Sequence, residues 1–81
     1  MYKITIGVDG MMCNMCEAHV NNKIRNSFKV KKVDSSHSKN ETVIIAKEEI
    51  TKENLEKAIE ETGYKLTSYN IEPYEKKSFF K

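Results

Sequence analysis

The sequence predicts an α+β domain in which four strands form one antiparallel sheet and two helices cover a single face of it. Three observations carry this. Tyr2, Ile4, Ile6 and Val8 alternate with Lys3, Thr5 and Gly7, the period of two that marks a half-buried strand. Val20, Ile24 and Phe28 fall four apart, and Leu55, Ala58, Ile59 and Thr62 form a second stripe, so each set lines one side of a helix. Between the helices, Ser38-Lys39-Asn40-Glu41 is turn chemistry that joins two strands into a hairpin.

Taken in order, the first strand covers Tyr2 to Val8, and Asp9-Gly10 breaks it. The first helix runs from about Cys16 to Phe28, with Asn26 and Ser27 weakening its end. Val30 to Ser36 is the second strand, thin in apolar residues. Thr42-Val43-Ile44-Ile45-Ala46, rich in β-branched side chains, is the third. Thr51 suits an N-cap, with Asn54 three residues on, so the second helix starts there and ends at Gly63. Tyr64-Lys65-Leu66 opens a fourth strand that runs to about Ile71, and Pro73 ends it. The order strand-helix-strand-strand-helix-strand is the ferredoxin-like, or split βαβ, arrangement. Residues 1–72 form the domain. Residues 73–81 are expected to be a flexible tail carrying Phe79 and Phe80.

A chain of 81 residues supports one small core and favours a surface site over a deep pocket. Its 38% hydrophobic and 32% charged residues are an ordinary globular balance. A net charge of +2 is too mild for a nucleic-acid protein. The third strand also lacks the aromatics on which a ferredoxin-like sheet stacks RNA bases. Lys23, Arg25, Lys29, Lys31 and Lys32 crowd one stretch, and Glu48, Glu49, Glu53, Glu56, Glu60 and Glu61 another. These are solvated faces, or a dipolar surface that orients a partner. No apolar run approaches the ~20 residues of a membrane-spanning helix, and the N-terminus has no signal-peptide pattern. Direct membrane insertion is not expected, and a cytoplasmic location, where thiols stay reduced, is.

The only two cysteines stand in Met11-Met12-Cys13-Asn14-Met15-Cys16, between the first strand and the first helix. Cys13 falls in the loop and Cys16 near the first helical turn, so both sulfurs can converge on one point. A helix N-terminus favours thiolates, and two thiolates at close range repel unless a cation lies between them. A structural disulfide across so short a loop would remove little unfolded-state entropy. A thiol–disulfide oxidoreductase is the more serious rival. Those proteins, however, place an aromatic or proline near the cysteines, whereas Asn14 and Met15 intervene here. A structural zinc site needs four ligands. His19, one turn from Cys16, could add one, but a lone histidine on a helix is more often a surface or packing residue.

Gly10-Met11-x-Cys13-x-x-Cys16 after a first strand, followed by this element order and by Gly63-Tyr64, resembles the heavy-metal-associated domains. The resemblance covers residues 2–72. It implies Cys13 and Cys16 as metal ligands, Met11 packed beneath the loop, Gly10 in the turn, and Tyr64 close to the cysteines. The chain departs from that pattern where Ser27-Phe28-Lys29 replaces a glycine turn, and where Ser35 and His37 stand in place of apolar residues.

Two soft thiolates suit Cu(I), which accepts two or three ligands, better than Zn²⁺. Members of these domains that handle zinc or cadmium often carry an acidic residue before the first cysteine, where this chain has Met12. Cu(I) is therefore the expected cargo, with other soft ions able to bind. The resemblance further implies a non-enzymatic copper chaperone or a metal-binding domain of a copper-transporting P-type ATPase. Its partner would be such an ATPase or a similar Cys-x-x-Cys protein, and a metal-bridged homodimer is a further expectation. A chain starting at Met1 with no attached membrane segment favours the free chaperone.

Overall fold

The computed structural model describes residues 1–74; Phe79 and Phe80 of the expected tail lie outside the described residues. The elements are β1 (Tyr2–Asp9), α1 (Asn14–Ser27), β2 (Lys32–Ser36), β3 (Glu41–Ala46), α2 (Lys52–Glu61) and β4 (Lys65–Pro73). The strands form one antiparallel sheet in the order β2-β3-β1-β4, so β1 and β3 are central and β2 and β4 are edges. This is the ferredoxin-like fold.

Alternation along the central strands decides which face is covered. Ile4, Ile6 and Val8 of β1 and Ile44 and Ala46 of β3 are fully buried. They pack with Val20 and Ile24 of α1 and Leu55 and Ile59 of α2 in one cluster. Each buried isoleucine of this set contributes enough that truncation to alanine would cost about 2–5 kcal/mol.

Element ends differ modestly from expectation, for identifiable reasons. The α1 helix begins two residues early because Cys13 serves as its N-cap, its carbonyl accepting from the N–H groups of Cys16 and Glu17. It stops before Phe28, which turns to extended backbone (φ −138°, ψ 156°) and packs against the core. The β2 strand starts at Lys32 rather than Val30. On the other side, β4 continues to Pro73, opposite Tyr2, because an edge strand tolerates a residue with no N–H to donate. Thr62 is the C-cap of α2 rather than a core contact, its hydroxyl donating to the Ile59 carbonyl. Thr51 caps α2, its Oγ1 accepting from the Asn54 N–H at 3.3 Å.

The polar residues at apolar strand positions are accommodated by partners. Ser35 donates to Asn21 Oδ1 of α1 at 2.6 Å and shares a 2.8 Å hydrogen bond with the fully buried Thr42. His37, in the β2–β3 turn, bonds Glu17 of α1 through both its backbone N–H and its ring. Among the described residues, no buried side-chain nitrogen or oxygen lacks a partner.

Candidate metal centre

The loop that follows β1 is shaped from beneath. Gly10 has φ +112°, a conformation that residues with a Cβ adopt only under strain. A Cβ there would also sit 2.9 Å from Cδ1 of Tyr64, so the ring lies directly against this turn. Met11 then drops into the core, 4% exposed, and anchors the loop. Its neighbours go the other way: Met12 and Met15 are 81% and 80% exposed.

A cysteine follows each of them. Cys13 is exposed and Cys16 half-buried, both are free thiols, and their sulfurs lie 3.8 Å apart. The separation follows from the helix start, since an extended N-cap at Cys13 (φ −161°, ψ 178°) places its side chain over the first turn from which Cys16 projects. At a metal–thiolate distance of about 2.3 Å, two sulfurs up to ~4.6 Å apart can share one ion. The pair therefore fits a single thiophilic cation. At 3.8 Å the chelate would be bent, roughly 110° at the metal, with an open side.

The electrostatics favour an anion at Cys16. Its thiol is lowered to about 7 from 9.0, chiefly by a hydrogen bond from the Tyr64 hydroxyl, then by the Met12 backbone, with burial opposing and Cys13 assisting. The same contact, with burial, pushes the Tyr64 hydroxyl upward. Tyr64 also meets His19 edge to face, ring centroids 6.1 Å apart. Together with Met15, Cys16, Ala18 and Asn22, these rings line an open groove of about 490 Å³ beside the pair. One residue on, Glu17 is held below the usual carboxylate range, first by the His37 backbone N–H and then by the His37 ring.

Among the described residues, no cluster of three or more His, Cys, Asp or Glu side chains could hold a metal ion. His19 thus faces Tyr64 without joining the cysteines in a ligand set, and His37 is engaged by Glu17. Gly10, Met11, Cys13, Cys16 and Tyr64 are brought together in one loop region. Sequence reasoning missed the Glu17–His37 and Asn21–Ser35–Thr42 bonds; their only trace was Ser35 and His37 standing where apolar residues are common.

No protein-family profile matches the chain, and no curated protein matches it by sequence. Solved structures do. The yeast copper transporter domain Ccc2a, determined in apo and Cu(I)-loaded states, is 27% identical over 82% of this chain and 92% of that one, TM-score 0.73. Others of the solved structures similar to this chain are likewise copper- or heavy-metal-binding domains. A copper-binding domain from HMA7, a P-type ATPase, is 26% identical, covering 90% of this chain and 96% of that one, TM-score 0.72. The N-terminal domain of ZntA in its Zn(II) form is 27% identical over 82% of this chain and 89% of that one, TM-score 0.73. These domains span nearly the whole described chain. Among the described residues no helix is long and apolar enough to cross a membrane.

Proposed function

We propose that this chain binds Cu(I) between the thiolates of Cys13 and Cys16 and passes it to a partner protein by thiolate exchange. The observation that carries this reading is the pair of sulfurs 3.8 Å apart on an open loop, with no third histidine, cysteine or carboxylate grouped with them among the described residues. Soft donors and low coordination number select Cu(I), whereas a closed zinc site takes four ligands.

Binding displaces the thiol protons, which the lowered Cys16 thiol makes easy near neutral pH. In transfer, a partner thiolate enters on the open side as a third ligand. One sulfur of this chain then leaves and takes up a proton, and the second follows as a second partner thiolate binds. Copper stays Cu(I) throughout, so no oxidant or reductant is needed. No covalent bond of a substrate is made or broken, and the role is that of a carrier rather than an enzyme. The partner is a copper-transporting P-type ATPase or another Cys-x-x-Cys protein, and the setting is the reducing cytoplasm. Similarity to both a copper transporter domain and an ATPase domain supports this role, whether as a free chaperone or as one domain of a transporter.

One observation favours a second metal, namely the likeness to a domain in a Zn(II) form. The oxidoreductase reading is weakened by the place of Pro73, which pairs with Tyr2 at the end of β1 remote from the cysteines. Anaerobic Cu(I) titration against a chromophoric competitor tests the proposal. Wild type should hold one Cu(I), and Cys13→Ser or Cys16→Ser should lose it. Unchanged binding in both variants would end the reading. Preference for Zn²⁺ at equal availability would overturn the metal, and turnover with glutathione would favour the redox alternative.

A further inference from the structure

The two helices begin in different ways. The hydroxyl of Thr51 accepts a hydrogen bond from the Asn54 N–H and so caps α2. At α1 the N-cap is Cys13, whose side chain makes no capping bond. A helix start without such a partner leaves its first N–H groups exposed and tends to fray. The two requirements conflict at this position, because a sulfur committed to capping would be turned away from Cys16. Yet Cys16 lies in the first turn, and its distance from Cys13 depends on that turn staying formed.

A support from outside the helix is present. Glu17, in the same first turn, reaches across to the β2–β3 turn. There its Oε2 accepts the His37 backbone N–H at 2.7 Å and lies 2.6 Å from His37 Nδ1. Twenty residues separate the partners, so the contact ties α1 to the sheet at the level of the metal loop. A carboxylate has only acceptors, which fixes His37 with its proton on Nδ1. Further along the helix, Asn21 makes a second tie to Ser35. That tie lies more than a turn from the cysteines and bears on helix docking alone.

The geometry points to Glu17 and His37 as positioning residues that clamp the first turn of α1 to the β2–β3 turn and so hold Cys16 opposite Cys13. The metal part of this inference rests on the two cysteines being the ligands; the clamp itself does not. Partners behind a metal's ligands typically change affinity by about 10- to 100-fold when removed. The clamp, half exposed, belongs at the lower end.

Backbone amide exchange in the metal-free protein and Cu(I) competition titration together test it. Glu17→Ala should speed exchange at the Cys16 and Glu17 amides on the order of tenfold, with Cu(I) affinity falling by a similar factor. Glu17→Gln, which keeps an oxygen for the His37 N–H, should recover most of both. His37→Ala, losing only the ring bond, should lie between and decides the matter if Glu17→Ala does not fold. Ser35→Ala should lower overall stability while leaving first-turn exchange and affinity at wild-type levels. Unchanged exchange in Glu17→Ala, or equal loosening by Ser35→Ala, would overturn the clamp. If wild type takes up no Cu(I), the metal reading fails while the exchange data still decide the clamp.

Discussion

At Cys16, charge and geometry meet in a single side chain. With its thiol lowered to about 7, chiefly by the Tyr64 hydroxyl, its sulfur is partly anionic at neutral pH, and the anion is what a soft cation binds. Removing that donor should cost the anion its support, so Tyr64→Phe should move the thiol up from about 7 toward its ordinary 9.0. Alkylation of the metal-free protein followed against pH would show it. Wild type should inflect near 7 and the variant well above; coincident curves would mean that Tyr64 only packs. The sign carries over to metal binding, where protons compete with the cation. The Cys16 share of the loss of affinity with falling pH should set in below about 7 in wild type and at higher pH in Tyr64→Phe. Gly10 acts on the same ring from the other side. Gly10→Ala places a carbon at a positive φ and against Tyr64 Cδ1, which should destabilise the fold by about 1–3 kcal/mol. Chemical denaturation would measure that loss, and a shift of the Cys16 inflection in the same variant would show that the ring had moved.

At the scale of the elements, what could be read in the sequence depended on whether the signal was local. The alternation in β1, the β-branched run of β3 and the Thr51 cap are written in neighbouring residues, and all three elements formed where that local chemistry put them. The loop bearing Gly10, Met11, Cys13 and Cys16 was legible for the same reason. Ser35 and His37 were not, because a lone polar residue in a strand or a turn names no partner. Theirs, Asn21 and Glu17, lie 14 and 20 residues away. The seam between α1 and β2 is therefore hydrogen-bonded where an apolar contact is common, and this sets its response to mutation. Ser35→Ala leaves the fully buried Thr42 hydroxyl without its partner and should destabilise by about 1–2 kcal/mol. Adding Thr42→Val removes the orphaned hydroxyl and should return part of that loss. Equilibrium unfolding of the single and double variants gives the comparison, and a double variant worse than the sum of its parts would refute the account. The bulge between Gly7 and Val8, where β1 meets β4, had no comparable cue, since it shows only in the pairing of two strands.

Across the whole molecule, the charge pattern and the metal loop act on different terms. The basic and acidic stretches seen in sequence fall partly on the two helices, and Lys23 of α1 bonds Glu61 of α2 at 2.5 Å. That pair is substantially exposed, and screened surface pairs of this kind contribute little to stability. Lys29 and Lys31 of the basic stretch, joined by Lys47, gather around a cleft with Glu48 beyond the end of α1 away from the loop. Charge is thus free to orient a partner while contributing little to the fold. Stability in a domain this small instead has room to grow by ligand binding, because a core of this size leaves only a modest margin. If Cu(I) binds the folded chain alone, free ion at 1,000 times its Kd should add about 4 kcal/mol. For a domain of this length that is a rise in Tm on the order of 15–30 °C. Cys16→Ser removes one of two ligands and should abolish most of the rise, whereas Lys23→Ala should leave it intact. Thermal unfolding with and without Cu(I) under anaerobic conditions distinguishes these outcomes. An equal rise in Cys16→Ser would place the ion elsewhere on the molecule. A rise lost in Lys23→Ala would mean that the helix pair, rather than the loop, carries the coupling between metal and fold.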